Sequence, residues 1–139
     1  MDFNLELVLL PVSDIDRAKA FYTEKAGFDL HVDHRAGDFR VVQLNPPGSA
    51  CSIAIGTMTS DVTPGSVKGL HLMVTDIEAA CAELAQRGVE VSDIRFVDKE
   101  GASGPGPHPE HNDYNSFADF SDPDGNTWII QERGYVAKA

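Results

Sequence analysis

The chain has 139 residues, of which 42% are hydrophobic, and 22 Asp and Glu against 11 Lys and Arg give a formal net charge of −11. A chain of this size buries enough surface to fold without disulfides or a structural metal. The absence of a basic stripe argues against a nucleic-acid partner, and no apolar run approaches the roughly 18 residues of a membrane span.

The first residues, MDFNLE, carry acids where a secretory signal carries Lys or Arg before an apolar run. Cys51 and Cys81 lie far apart and form no motif, which is typical of reduced thiols. These features predict a cytoplasmic protein.

The first half of the chain predicts a strand, a helix and three more strands. Ser13 or Asp14 is placed to cap the helix, and Gly27 is placed to end it in a left-handed conformation. The helix presents an apolar face at helical spacing, formed by Ile15, Ala18, Phe21 and Tyr22. The strands are predicted at 4–11, 28–33, 39–44 and 50–55.

The same order then restarts. Thr75 or Asp76 caps a second helix, Gly88 ends it, and Ile77, Ala80 and Leu84 form its apolar face. The strands are predicted at 69–74, within 89–97, at 116–120 and at 126–131. A loop rich in Gly, Pro and His spans 98–115, and DPDG at 122–125 is a strong β-turn signal.

The two halves align as a repeat of about 60 residues, which is a signature of repeated structural units. VSDI at 12–15 matches VTDI at 74–77, and Gly27 matches Gly88. We therefore predict an α+β fold of two βαβββ modules, at 1–56 and 68–135, with a connector at 57–67 and a tail at 136–139. One such unit cannot cover both faces of its sheet, so two must pack together.

Six stretches resemble the signatures of the vicinal-oxygen-chelate superfamily, the glyoxalase/bleomycin-resistance/extradiol-dioxygenase fold. They are VSDIDR at 12–17, FY at 21–22, GF at 27–28, VTDIE at 74–78, RGVEV at 87–91 and FSDPDGN at 120–126. The resemblance implies a curved, cup-like mixed sheet with helices on the outside. It does not specify function, since this fold hosts lyases, dioxygenases, isomerases and pure binding proteins.

In the enzymes of this superfamily, a divalent metal in the cup chelates two oxygens of the substrate. Carried over position by position, its ligands fall on Leu7, Gly69 and Ile129, and the fourth falls within 52–55, where there is no acid. Leu, Gly and Ile side chains offer no lone pair to a metal. We therefore expect no metal at this position and no cofactor.

A ligand pocket is predicted on the faces that these positions share. Leu5, Leu7 and Leu9 would form an apolar wall, and His71 shares the face of Gly69. The structural alternative for His71 is a half-buried histidine bonded to a neighbouring strand. The complete predicted pocket is Leu5, Leu7, Leu9, Gly69, His71, Tyr114, Ile129 and Gln131.

Positions and roles are also predicted for other residues near this pocket. Trp128 and Ile130 are predicted to face the helices as core, and Glu132 to face solvent. The loop at 98–115 is predicted to be a mobile lid from which Tyr114 stacks on the ligand. A metal site within that loop, formed by His108, Glu110, His111 and Asp113, is the less favoured alternative.

Three functions remain open from the sequence. The favoured one is a homodimeric binder of a small, mostly apolar organic molecule, with cationic ligands favoured by the acidic chain. The alternative is a lyase, isomerase or dioxygenase that is metal-dependent or uses His71 as general base. The third is a subunit or scaffold that binds no ligand.

Overall fold

The computed structural model describes residues 1–138 and divides the chain into two compact units. The first unit is Met1–Lys68 together with Asp122–Asn126, and the second is Gly69–Ser121 together with the chain from Thr127 onward. Each unit contains one mixed sheet. The predicted α+β class with two βαβββ modules is confirmed.

The sheet of the first unit has the strand order β1-β4-β3-β2, with β1 parallel to β4 and the other neighbours antiparallel. Helix α1 continues into a π-helical turn at Phe21–Lys25. The elements are β1 (Leu7–Leu9), α1 (Ile15–Ala20), β2 (Asp29–Ala36), β3 (Phe39–Asn45) and β4 (Ser52–Gly56).

The sheet of the second unit has the order β5-β9-β8-β6-β7, with β5 parallel to β9. Its elements are β5 (Leu70–Val74), α2 (Ile77–Gln86), β6 (Arg95–Val97), β7 (Ser103–Pro105), β8 (Ser116–Ser121) and β9 (Thr127–Glu132). Strand β7 lies inside the predicted loop at 98–115. It pairs with β6 at the edge of the sheet, where a proline is tolerated.

Both helices begin and end as the sequence predicts. The carboxylate of Asp14 accepts a hydrogen bond from the backbone N–H of Arg17 at 3.0 Å, and that of Asp76 accepts one from the backbone N–H of Ala79 at 3.1 Å. Gly27 and Gly88 follow the helices with φ of 77° and 91°, a left-handed conformation that glycine adopts without steric cost. None of the helices in residues 1–138 is long and apolar enough to cross a membrane.

Each sheet buries one face against the helix of its own unit. In the first unit, Ala18 and Tyr22 of the helical segment are fully buried, and the Tyr22 hydroxyl donates to Asp122 at 2.8 Å. In the second unit, Trp128 and Ile130 are buried, as predicted. Because side chains alternate along a strand, the opposite face of each sheet carries the other set of residues.

The prediction for Glu132 is wrong. This side chain is fully buried rather than solvent-facing. Alternation places it on the same face as Trp128 and Ile130, and two hydrogen bonds compensate its burial.

Candidate functional site

The predicted apolar wall lies on the uncovered face of the first unit's sheet. Leu7 and Leu9 remain 37% and 41% exposed, and Leu5, just before the strand, is 71% exposed. Strand register continues this face from Leu9 through Ala54 to Gln43. Ala54 and Ser52 of β4 are themselves buried, so the exposed apolar area on this face is that of Leu5, Leu7 and Leu9 at the β1 edge of the sheet.

Four predicted pocket residues lie together on the uncovered face of the second unit's sheet. His71 pairs directly with Ile129, and Gly69 precedes the strand that carries His71. A Cβ added at Gly69 would meet Ile129 Cδ1 at 3.7 Å, so the glycine keeps this part of the face shallow. Gln131 follows on the same face by alternation.

His71 is exposed, and its Nδ1 lies 2.8 Å from the carbonyl oxygen of Gly69. The alternative of a half-buried histidine bonded to a neighbouring strand is therefore not what the structure has. With Nδ1 occupied locally, Nε2 is the ring nitrogen placed to meet another molecule.

Tyr114 approaches the same face from the segment before β8. Its carbonyl oxygen accepts a hydrogen bond from Gln131 Nε2 at 2.9 Å, and its hydroxyl accepts one from Arg133 at 3.0 Å. The side chain is 46% exposed. The structure thus brings Tyr114 and Gln131 together, as a shared pocket requires.

Three further residues of this face were missed by the sequence analysis. Arg95 and Asp119 form a bidentate ion pair at 2.9 and 3.1 Å, and the Arg95 guanidinium lies 5.8 Å from the centre of the Phe117 ring. The signal was present, since Phe117 and Asp119 alternate with the buried Ser116, Ala118 and Phe120 in SFADFS.

The residues at the superfamily's metal positions do not fit a metal. Leu7, Gly69 and Ile129 carry no donor atom in their side chains. The nearest donors in register with Ile129 are His71 and Asp119, on the strands at either side. Two side chains are fewer than the three protein ligands that catalytic divalent metals usually have, and Asp119 is already paired with Arg95.

The loop at 98–115 is ordered by its own hydrogen bonds and does not form the alternative metal site. His108 is buried, and its Nδ1 accepts a hydrogen bond from the backbone N–H of Glu110 at 3.1 Å. His111 turns instead towards Glu132, 2.7 Å away. Across residues 1–138, no three His, Cys, Asp or Glu side chains converge as a metal would need.

A cavity of about 500 Å³ lies elsewhere in the first unit, between the start of α1 and the β2–β3 hairpin. Its lining is charged, and none of the predicted pocket residues belongs to it. Arg40, which lines it, is mostly buried and bonds Asp33 at 3.0 and 3.1 Å and Asp16 at 2.7 Å.

The hydrogen-bonded ion pairs of this cluster shift the pKa values of Asp33 and Arg40. Hydrogen bonds from Arg40 and then Lys19 hold the pKa of Asp33 well below its usual range. Hydrogen bonds to Asp33 and then to Asp16 raise the pKa of Arg40. The arginine is thereby saturated by its own carboxylates, which indicates a structural network.

A family model described as the Glyoxalase/Bleomycin resistance protein/Dioxygenase superfamily matches residues 4–130. The chain belongs to this superfamily. The match spans most of the chain, and the resemblance drawn from the six sequence stretches is confirmed.

Solved structures of this superfamily share the fold over nearly the full length. The antibiotic binding protein TnmS3 from Streptomyces sp. CB03234 is 35% identical, covers 94% of this chain and 96% of its own, and has a TM-score of 0.73. A glyoxalase/bleomycin resistance protein from the same organism is 36% identical, covers 93% and 100%, and has a TM-score of 0.71.

A curated superfamily relative is also similar in sequence. The uncharacterized protein YetH of Bacillus subtilis (strain 168) is 25% identical over 128 residues, which is 90% of this chain and 94% of YetH. Membership alone does not select between catalysis and binding, because one fold hosts both.

Proposed function

We propose that this superfamily member binds a small, mostly apolar organic molecule on the uncovered sheet faces, without a metal at the superfamily position. The observation that carries the proposal is the donor set: Leu7, Gly69 and Ile129 stand where the enzymes hold an ion. Affinity needs apolar area and a few placed polar groups. On the second unit's sheet face, Phe117 and Ile129 supply apolar area beside Gln131 and His71.

The ligand class follows from the relatives. TnmS3 is described as antibiotic binding and is 35% identical to this chain over nearly its full length. We extend that property here as a proposal, with antibiotics of apolar framework as the first ligands to test. The net charge of −11 favours those that carry an amine.

The binder is proposed to act as a homodimer. Leu5, Leu7 and Leu9 remain exposed in the single chain, and contiguous exposed apolar residues mark interaction surfaces. A second copy would enclose a ligand that one open sheet face leaves in contact with water.

A ligand panel tests the proposal. Purified protein, freed of metal with a chelator, is titrated with neutral, cationic and anionic antibiotics while melting temperature and Trp128 fluorescence are recorded. We expect saturable stabilisation by at least one apolar compound. Stoichiometric divalent metal that is retained by this chain, together with turnover of a methylglyoxal–glutathione adduct or a catechol, would contradict it.

An enzyme remains the second candidate, because His71 presents its Nε2 on the open face. A ring nitrogen in that position can accept a proton from a bound molecule. The variant His71→Gln separates the two: an enzyme loses turnover, whereas a binder shows no turnover in either form.

A further inference from the structure

The segment at 108–115, which we name the strap, is fastened to the end of β9 by five hydrogen bonds. Two involve the backbone of Tyr114: its N–H donates to the Glu132 carbonyl oxygen at 2.8 Å, and its carbonyl accepts from Gln131 Nε2 at 2.9 Å. The others join His111 to Glu132 at 2.7 Å, Arg133 to the Tyr114 hydroxyl at 3.0 Å, and Gly134 N–H to Asp113 at 2.8 Å.

The strap has a strained backbone. His111 and Tyr114 have φ of 51° and 69°, and they are the non-glycine residues with positive φ among residues 1–138. Residues with a Cβ adopt this region only where their surroundings hold them there. Loss of the fastening bonds therefore favours a second, relaxed backbone conformation.

One buried carboxylate joins the strap to the rest of the second unit. Glu132 Oε2 accepts the backbone N–H of Ile77 at the start of α2 at 2.9 Å, while Oε1 meets His111 Nδ1. The His111 ring also stacks on Tyr135, with centroids 3.7 Å apart and planes inclined by 12°. His111 is thus the strap side chain that reaches the buried Glu132, while His108 at the start of the strap is buried against Phe96.

We propose that the strap is a releasable gate and that the His111–Glu132 contact is its latch. When the strap is fastened, the Tyr114 carbonyl oxygen accepts a hydrogen bond from the side-chain amide of Gln131, which lies on the proposed ligand face. The carbonyl uses one of the two Nε2 hydrogens of Gln131, and a ligand that takes this same hydrogen must displace the carbonyl, so binding there and release of the strap are thermodynamically linked. The coupling between ligand binding and strap release rests on the proposed function. The role of the His111–Glu132 contact as the latch of the strap does not.

Amide hydrogen exchange tests the latch without any ligand. We expect His111→Ala to speed exchange of the Tyr114 and Gly134 amides by about tenfold or more, since the contact with the buried Glu132 is lost. The Ser92 amide, bonded to Asp119, serves as internal reference and should not change. His34→Ala, which removes an exposed histidine of β2, is the matched control.

Equal protection of Tyr114 in His111→Ala and the parent chain would overturn the latch. Should His111→Ala fail to fold, Asp113→Ala removes another fastening bond outside the interior. Faster exchange of Tyr114 in that variant supports a releasable strap, and unchanged exchange overturns it.

Stopped-flow binding of an antibiotic from the panel then tests the gate. We expect His111→Ala to raise the association rate constant several-fold, and an unchanged rate would overturn the coupling. If neither the parent chain nor His111→Ala binds any compound, the proposed function and the coupling fail together. The exchange rates then still show whether the His111–Glu132 contact holds the strap.

Discussion

Glu132 shows how a single residue escaped prediction. Its parity is opposite to that of Ile129, and this opposite face of β9, which also carries Trp128 and Ile130, is core rather than solvent. Its partners are a backbone N–H at a helix start and a histidine 21 residues away in sequence, and neither is visible in a local pattern. Buried charges are satisfied by tertiary partners, so the sequence identified the face but not the environment.

Replacing Glu132 tests that environment. Glu132→Leu leaves the Ile77 N–H and the His111 ring without an acceptor, and we expect a loss of about 1–3 kcal/mol in the free energy of unfolding. Glu132→Gln should lose clearly less, because an amide oxygen can accept from Ile77 and its NH₂ can donate to the other tautomer of His111. Urea denaturation measures both variants, and equal stability of Glu132→Leu and the parent chain would contradict the assignment.

Asp33 gives a pH-dependent prediction. Its folded-state pKa is lowered by Arg40 and Lys19, so its contribution to stability is present above the unfolded pKa of about 3.9 and declines as pH falls below it. Asp33→Asn should therefore cost about 1 kcal/mol at pH 7, a value discounted for partial exposure, and less at pH 3. Chemical denaturation at the two pH values checks this, and a pH-independent difference would argue against the ion pair.

At the scale of elements, the sequence predicted all of the major helices and strands but placed their ends imprecisely. The first strand was predicted at 4–11, whereas β1 is Leu7–Leu9. Strand β7 was missed because SGP is typical of a loop, and only pairing at a sheet edge makes it a strand. Helix ends were predicted better, since capping residues act locally.

The repeated Asp14 and Asp76 caps allow a matched test. Asp14→Ala and Asp76→Ala should each lower the free energy of unfolding by about 1 kcal/mol, because the capped backbone N–H loses its acceptor. The corresponding serine variants keep an acceptor and should retain most of that stability. Thermal denaturation of the four variants checks the prediction, and alanine variants as stable as the serine variants would contradict it.

At the scale of the whole molecule, the internal repeat predicted the fold, because two similar stretches of sequence form two similar units, each with one mixed sheet. The candidate site was only partly predictable. Leu7, His71 and Gln131 lie on the sheet faces that alternation predicts, and alternation along β8 also indicates Asp119, but the pairing of Arg95 with Asp119 is visible only in the folded sheet. Ligand identity depends on such tertiary groupings.

The proposed dimer is tested by mass in solution. Light scattering coupled to size exclusion should give twice the mass of one chain. Leu9→Glu, which places a charge on the exposed face, should shift the mass towards that of a monomer. Phe3→Glu is a control for exposure alone, since Phe3 is exposed outside any strand. A monomeric parent chain would contradict the dimer.

The most direct test of the central claim is calorimetric titration of the chelator-treated protein with a binding antibiotic, repeated after a divalent metal is restored. Because Leu7, Gly69 and Ile129 offer no donors, the account predicts the same affinity and stoichiometry in both titrations. Binding that appears only with the metal, held by three or more side chains of this chain, would contradict it.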